Sequence, residues 1–487
     1  MIKPIYFICL LLFANFCFSQ SIKIEKLTLE DYQFDLAILD RLIDKQHPNP
    51  YEFISKDQQL KFKNKAIENL KKNTSFFNFM KCLNRFGDGH LLYTTKEEFN
   101  EYMKNTPNYF PFPVIVRDGR MFINIKGNEL GYGTEILSIQ NKSVKDIVGV
   151  LNTYIHGDGY SMTNTEARLS DFFALAYKLF IESNTTKFTI QYISNKQNQT
   201  QQITLDAIDY YEMYRRQFLS VQPINILESK ETIATRFYKS KKTGVITVNS
   251  FDLKESSAYK KINKFFKKIN DEQFKNVIID LRNNEGGSPN MAALLFSFIM
   301  DSNFKNSFNF KAKNITFLKE NLSDAYGNPV SNNWIERDEL FFYQRFNKNE
   351  EGVYIGNERL NEGVIENFPP DKDHFKGNVY LMVGGKTFSA AVFFAKLFRD
   401  YKRGKIIGVE TGGNANNTFA GYFSYYTLPR TKILVRIPIT ELYFGDGNSK
   451  SYHGVIPEIT VPTNKFKKYL IKEKDPELQY LMDHFIK

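Results

Sequence analysis

Between residues 28 and 46 the apolar side chains Phe34, Leu36, Leu39, Leu42 and Ile43 recur at helical spacing. Thr28 followed by Asp31 has the form of a capping box. The helix this predicts stops at His47-Pro48-Asn49-Pro50, because proline removes a backbone donor and clashes with the preceding turn. Similar spacing predicts helices over 57–72 and 75–85, the last running into the glycine-punctuated stretch Gly87-Asp88-Gly89-His90. From 107 to 206 the period changes. Runs at 114–116, 121–125 and 134–139, separated by Asp-Gly and Gly-Tyr-Gly turns, predict short strands. Helices near 144–154 and 164–182 follow, then strands at 187–193 and 200–205.

Beyond about residue 235 strands and helices alternate: a strand at 244–248, a helix over 257–270, a continuous apolar run at 277–281, a Gly-Gly loop and a helix over 289–300. An aromatic and charged insertion, 301–375, precedes another apolar run at 379–383, which leads into a helix after Ser389. Such alternation predicts βαβ units, so the expected fold class is α/β within an α+β multidomain chain. The expected division is a leader at 1–19, a helical region at 20–106, a small β domain at 107–206 and an α/β core at 207–487.

Composition narrows the function classes. Of the 487 residues 42% are hydrophobic and 15% aromatic, which argues for packed cores and against disorder. The net charge of +11 is spread along the chain, with no arginine-rich arm and no nucleic-acid motif. A solvated basic surface is therefore expected, not nucleic-acid binding. The first twenty residues have a lysine at position 3, an apolar run from Ile5 to Phe16 and small residues before Gln20, the pattern of a secretory leader cleaved after Ser19. No later segment is long and apolar enough for a stable membrane span. The expectation is an exported protein, periplasmic or extracellular. Of Cys9, Cys17 and Cys82 only Cys82 survives that cleavage, which excludes an internal disulfide and a cysteine-based metal site.

Three loops carry candidate chemistry. In GGKTFSAAVFFAKLF, 384–398, Ser389 stands where an apolar strand gives way to a helix. It is either an N-cap or a nucleophile at the positive end of a helix dipole. In VIIDLRNNEGGS, 277–288, Gly286 and Gly287 let backbone N–H groups face a ligand. Together with the Ala390 N–H they would form an oxyanion hole. In GDGHLLY, 87–93, His90 is a candidate general base, and His156 in IHGDGY is its rival.

The order GDGH, a small β domain, DLRNNEGG, TFSAA, GVETGG and HGVIPEITV resembles the C-terminal processing (tail-specific) peptidase family over about residues 80–462, and HPNPY at 47–51 extends the likeness. The resemblance implies a serine-type peptidase: a PDZ-like domain, with GTEILSIQNKSV at 133–144 as its strand and turn, beside a ClpP/crotonase-like α/β core. It implies Ser389 as nucleophile and Gly286, Gly287 and Ala390 at the oxyanion hole. Polypeptide substrates would bind as an extended strand, and neither a cofactor nor a metal is implied. Two departures matter. The lysine that many members use as base corresponds to Asn414 here, and an amide is no base. His90 instead fits the histidine-containing, tricorn-like branch. The glutamate which that branch carries before its GV-x-P motif is also missing, because Ser451-Tyr452-His453 occupy those positions. Glu441 and Asp446 are the nearest upstream acids, with Glu441 ranked first as the third catalytic member. A catalytically silent peptide-binding protein on the same scaffold, and an esterase, are the alternatives.

Overall fold

The apolar run Val277-Ile278-Ile279 becomes the central strand Asn276–Asp280 of a five-stranded sheet. In space the order is Lys405–Gly408, Asn378–Val383, Asn276–Asp280, Thr243–Val248 and Ile233–Tyr238; the first four run parallel and the last is antiparallel. Alternate side chains go to opposite faces. Ile246, Val277, Ile279 and Leu381 pack under the helices Glu255–Asp271, Pro289–Ser297 and Ala390–Asp400. Val245, Ile278, Met382 and Ile407 pack against the C-terminal helices Thr463–Ile471 and Pro476–His484. Burial on both faces is why these strands read as unbroken hydrophobic runs. This computed structural model describes residues 24–83, 86–155, 157–195, 198–222, 231–362, 364–445 and 451–486. The expected leader therefore lies outside the described residues. Among them no helix is long and apolar enough to cross a membrane.

The N-terminal helix is Leu29–Gln46, and its capping box forms as the sequence predicts: Asp31 N donates to Thr28 Oγ1 at 3.2 Å, and Thr28 N to the Asp31 carboxylate at 3.0 Å. Its buried face differs from the expectation at one position. Phe34 is exposed beneath the Arg430 guanidinium, and Tyr32, Asp35 and Ile38 join Leu36, Leu39, Leu42 and Ile43 inside. Asp35 is tolerated there because it accepts hydrogen bonds from Arg430 N and Thr431 N. The third expected helix is short, Phe76–Met80, and the helix expected over 164–182 is Thr163–Ala176, with non-helical φ/ψ at Phe172 and one π turn at Tyr177–Ile181.

Residues 107–206 build an antiparallel sheet in the spatial order Val114–Arg117, Arg120–Ile123, Glu135–Ile139, Lys187–Ile193, Thr200–Asp206. One edge of this sheet is closed by its own helix. Val116 N donates to Ser170 Oγ at 3.0 Å, and Asp118 N and Gly119 N donate to the Glu166 carboxylate at 3.0 and 2.6 Å.

The segment 301–375 is woven into the fold. Phe308–Ala312 pairs with Glu441–Phe444, and Leu322–Ser323 pairs with Phe423–Thr427, so strands from before and after Ser389 share two antiparallel sheets. Excising 301–375 is expected to give protein that does not unfold cooperatively, because one sheet loses the strands Phe308–Ala312, Phe346–Lys348 and Tyr354–Gly356 and another loses Leu322–Ser323. A truncated chain that melts near the wild-type temperature by circular dichroism would contradict the woven arrangement.

Candidate active site

Ser389 ends the turn after Asn378–Val383 and precedes the helix Ala390–Asp400. It is an N-cap in position only. Its φ of 53° and ψ of −123° are far from the extended values of a capping residue, and its side chain makes no cap bond. A non-glycine residue in such a conformation stores about 1–3 kcal/mol of strain and needs its surroundings to hold it. Those surroundings are buried and specific. Thr387 Oγ1 donates to Leu281 O and accepts from Gly384 N, at 2.8 and 2.9 Å. Phe388 N donates to Asn284 O at 3.0 Å, and Gly412 N to Thr387 O at 3.1 Å. Asn284 ties the parts together, donating to Val248 O at 3.0 Å and accepting from Gly286 N at 2.9 Å. Arg282, in the same loop, binds Asp280, Asp475 and Glu477 and so fastens the loop to the C-terminal helix.

Gly286 touches the serine. Its φ is +104°, and a Cβ there would stand 2.7 Å from Ser389 Cβ and 3.0 Å from Ala390 N. Its own N–H is spent on Asn284, so it is not free for an oxyanion as the sequence suggested. Gly287 differs. Phe251 N donates to Gly286 O and Ser288 N to Phe251 O, at 2.8 and 3.2 Å. This parallel bridge turns the Gly287 N–H away from Phe251, at an exposed position. The Ala390 N–H, first in its helix, has no partner within the helix. Gly286→Ala is expected to lower the melting temperature and to cut peptide hydrolysis about 10²-fold, since the new methyl pushes on Ser389 Cβ and the donor beside it. Unchanged turnover in that variant would remove Gly286 from the nucleophile's wall.

His90 is buried beside the same turn. Its ring packs on Phe388, the residue before Ser389, at a centroid distance of 4.9 Å, and Gly89 is in close contact with that same phenyl ring. The main-chain N–H of His90 donates to Asp88 Oδ1 at 2.7 Å, and Asp88 Oδ2 receives His47 Nε2 at 3.0 Å. His47 Nδ1 accepts from Asn49 N, which leaves its Nε2 as the donor. On the ring side, Thr418 Oγ1 lies 3.2 Å from His90 Nδ1 and 2.6 Å from Asp158 Oδ2; Asp158 Oδ1 accepts from Gly89 N at 3.0 Å and is 3.9 Å from Nδ1. A carboxylate only accepts, so the Thr418 hydroxyl proton points to Asp158 and the Thr418 oxygen accepts from Nδ1–H. That chain fixes the tautomer and leaves Nε2 with the lone pair. Ser389 Oγ itself has no hydrogen bond to a described residue, so the turn leaves it uncommitted.

Asp158 and Thr418 were not read from the sequence as site residues. The signal for Asp158 was present: Gly-Asp-Gly occurs at 87–89 and again at 157–159, and both aspartates flank His90. Thr418 had no signal. The carboxylates of Asp88 and Asp158 and the His90 ring offer atoms within 4.8 Å of one another, the one such grouping among the described residues. Their atoms are engaged by His47, Gly89, Thr418 and the His90 main chain, so the geometry is that of support for an imidazole. Glu441 is placed elsewhere. It accepts from Asn417 Nδ2 at 3.0 Å and faces Lys311, and no bond joins it to His90. Asn414 is buried and accepts from Asn416 N at 2.9 Å, and its Nδ2 has no hydrogen-bond partner among the described residues. His156 and Asp446 lie outside the described residues. Arg436, whose Nε donates to His90 O at 3.1 Å, is held below its usual pKa by burial, against the opposing pull of Tyr425, Asp88 and Glu285.

A solved structure of mature CPAF complexed with lactacystin superposes with a TM-score of 0.59 at 14% identity, covering 93% of this chain and 97% of that one. Another, of mature CPAF alone, gives 0.57 at 15% identity, covering 93% and 96%. The chain therefore shares a mixed α/β multidomain fold with CPAF. No curated protein sequence matches. The model of peptidase family S41 matches residues 242–461, the stretch that carries the parallel strands, the Asn284–Gly287 loop and Ser389. Residues 242–461 thus match peptidase family S41, whose members are serine-type peptidases.

Proposed function

We propose that the protein is an exported peptidase of the histidine-containing, tricorn-like type, cleaving unfolded or C-terminal polypeptide segments through an acyl-enzyme at Ser389. His90 Nε2 takes the Ser389 proton as Oγ attacks the scissile carbonyl. The Ala390 and Gly287 N–H groups receive the oxyanion at the start of the helix. The imidazolium, steadied through Thr418 by Asp158, then gives the proton to the leaving amine. Water, activated by the same ring, releases the acyl group. The observation that carries this reading is the strained, non-capping conformation of Ser389, next in the chain to Phe388, on whose ring packs an imidazole whose tautomer leaves Nε2 as acceptor. A scaffold that only bound peptides would have no reason to hold a serine in that state.

The antiparallel sheet of residues 107–206 is the PDZ-like unit in this proposal. Strand addition at Val114–Arg117 is not part of it, because the outward Val116 N–H is already bonded to Ser170. The extended substrate is instead proposed to run along the exposed Gly287, whose amide is turned away from its neighbour strand. The test is labelling by a serine-directed fluorophosphonate together with hydrolysis of an unfolded protein. Modification of Ser389 and release of peptides are expected, and a probe that labels nothing while no peptide appears would end the peptidase reading. Export is tested separately by sequencing the N-terminus of secreted protein: Gln20 is expected, and an intact Met1 would contradict it.

A further inference from the structure

Arg436 lies on the strand Leu434–Pro438, opposite Leu92 of the strand that follows directly on His90. Its guanidinium is fixed at one end. Nε donates to the His90 carbonyl at 3.1 Å, and the plane packs 4.6 Å from the centroid of Phe423, a ring that also stacks near parallel to His90 at 6.0 Å. The other end is open. Among the described residues, neither terminal nitrogen of Arg436 has a hydrogen bond or an ion pair. Other arginines around the site are matched: Arg168 binds Glu285, and Arg282 binds Asp280, Asp475 and Glu477. The two acids whose charges reach Arg436 are bonded elsewhere, Asp88 to the His90 main chain and His47, and Glu285 to Arg168. A half-buried guanidinium without its own carboxylate is unfavourable unless an anion arrives. A planar fork immobilised by one hydrogen bond and one aromatic face is preorganised to receive a carboxylate with two parallel bonds.

We propose that Arg436 is a specificity-determining residue that receives a carboxylate of the polypeptide substrate next to the catalytic base. This rests on the peptidase reading of Ser389 and His90. The carboxylate is either the α-carboxylate of the substrate C-terminus or the side chain of an aspartate or glutamate near the scissile bond. Both present the same two oxygens to the same fork.

The test uses two pairs of peptides on the full-length protein. One pair differs in a free or amidated C-terminus, the other in a Glu or Gln near the cleaved bond. Wild type is expected to favour the carboxylate member of one pair by about 10- to 100-fold in kcat/KM, on the scale of a charge-assisted bond. Whichever pair shows the preference names the source. Arg436→Met is expected to erase that ratio, and Arg436→Lys to keep part of it. A loss common to both members of a pair reads only the bond to the His90 carbonyl, so the ratio is the deciding quantity. If both ratios are near one in wild type, or unchanged in Arg436→Met, the proposal is overturned. The same pairs are measured for binding by fluorescence anisotropy on Ser389→Ala. That readout needs no hydrolysis: a carboxylate preference there, lost on adding Arg436→Met, supports Arg436 even if the peptidase reading fails, and its absence counts against Arg436 alone.

Discussion

Ser389→Ala abolishes peptide hydrolysis and leaves the fold intact: this is the largest effect expected of any single substitution. In the proposed mechanism the oxygen removed is the atom that forms the acyl bond, and nothing else in the turn can replace it. Thr387 Oγ1 is buried and committed to Leu281 O and Gly384 N. The fold should not notice, because Ser389 Oγ makes no capping bond whose loss would destabilise the helix. Only the weak residual acceleration from the oxyanion donors and binding remains in such variants, roughly 10³–10⁴ over water, far below turnover. Ser389→Gly sharpens the point. With φ at 53° the position suits glycine, so this variant should be equally inactive yet melt at a higher temperature. Peptide assay and thermal denaturation of wild type and the two variants check both halves. Retained hydrolysis in Ser389→Ala would remove the nucleophile from the mechanism, and a lower melting temperature in Ser389→Gly would remove the strain.

Parts of this arrangement were legible because short-range physics decides them. The Thr28–Asp31 capping box, the strand Lys187–Ile193 and the apolar strands 277–281 and 379–383 follow from local pattern alone. Ser389 could be placed at a strand-to-helix turn, but whether it caps or reacts depends on its φ, and φ depends on what Gly286, Asn284 and Thr387 do around it. The helix Tyr210–Phe218 and the strand Ile233–Tyr238 went unread. The first is carried by Asp209 capping and by Glu212 paired with Arg215 and Arg216, which shows no apolar stripe. The second is an edge strand whose alternation is weak. The third catalytic carboxylate was sought near the C-terminal motif, at Glu441, because chain order was the only guide. Asp158 reaches His90 from a loop 260 residues away from Thr418 in sequence, joined by backbone bonds such as Asp158 N to Gly412 O at 3.1 Å. Such convergence is a property of the packed loops and leaves no periodic trace.

His90→Ala is expected to lower kcat by about 10²-fold or more, the scale for a lost general base, with little change in KM. Asp158→Asn separates two accounts of that histidine. In wild type the carboxylate accepts from Thr418, so Thr418 accepts from Nδ1–H and Nε2 keeps the lone pair that the proposed mechanism uses as base. An asparagine amide offers a donor in place of an acceptor. If its Nδ2 faces Thr418, the threonine proton turns toward His90, Nδ1 becomes the acceptor and Nε2 carries the hydrogen, which cannot take the proton of Ser389. The loss should therefore approach that of His90→Ala, about 10²-fold or more in kcat, although Asp158 touches neither serine nor substrate. Thr418→Val removes the same link by deleting the hydroxyl at nearly constant volume and should fall between wild type and Asp158→Asn. Because the three residues act as one chain, the double variant Asp158→Asn/Thr418→Val should be no worse than Asp158→Asn alone. Glu441→Gln should stay near wild type, since Glu441 is bonded to Asn417 and faces Lys311. The measurement is kcat and KM for one peptide across the five variants, with folding checked by circular dichroism. A deep loss in Glu441→Gln with wild-type rates in Asp158→Asn would transfer the orienting role to Glu441, and additive losses in the double variant would break the Thr418 relay.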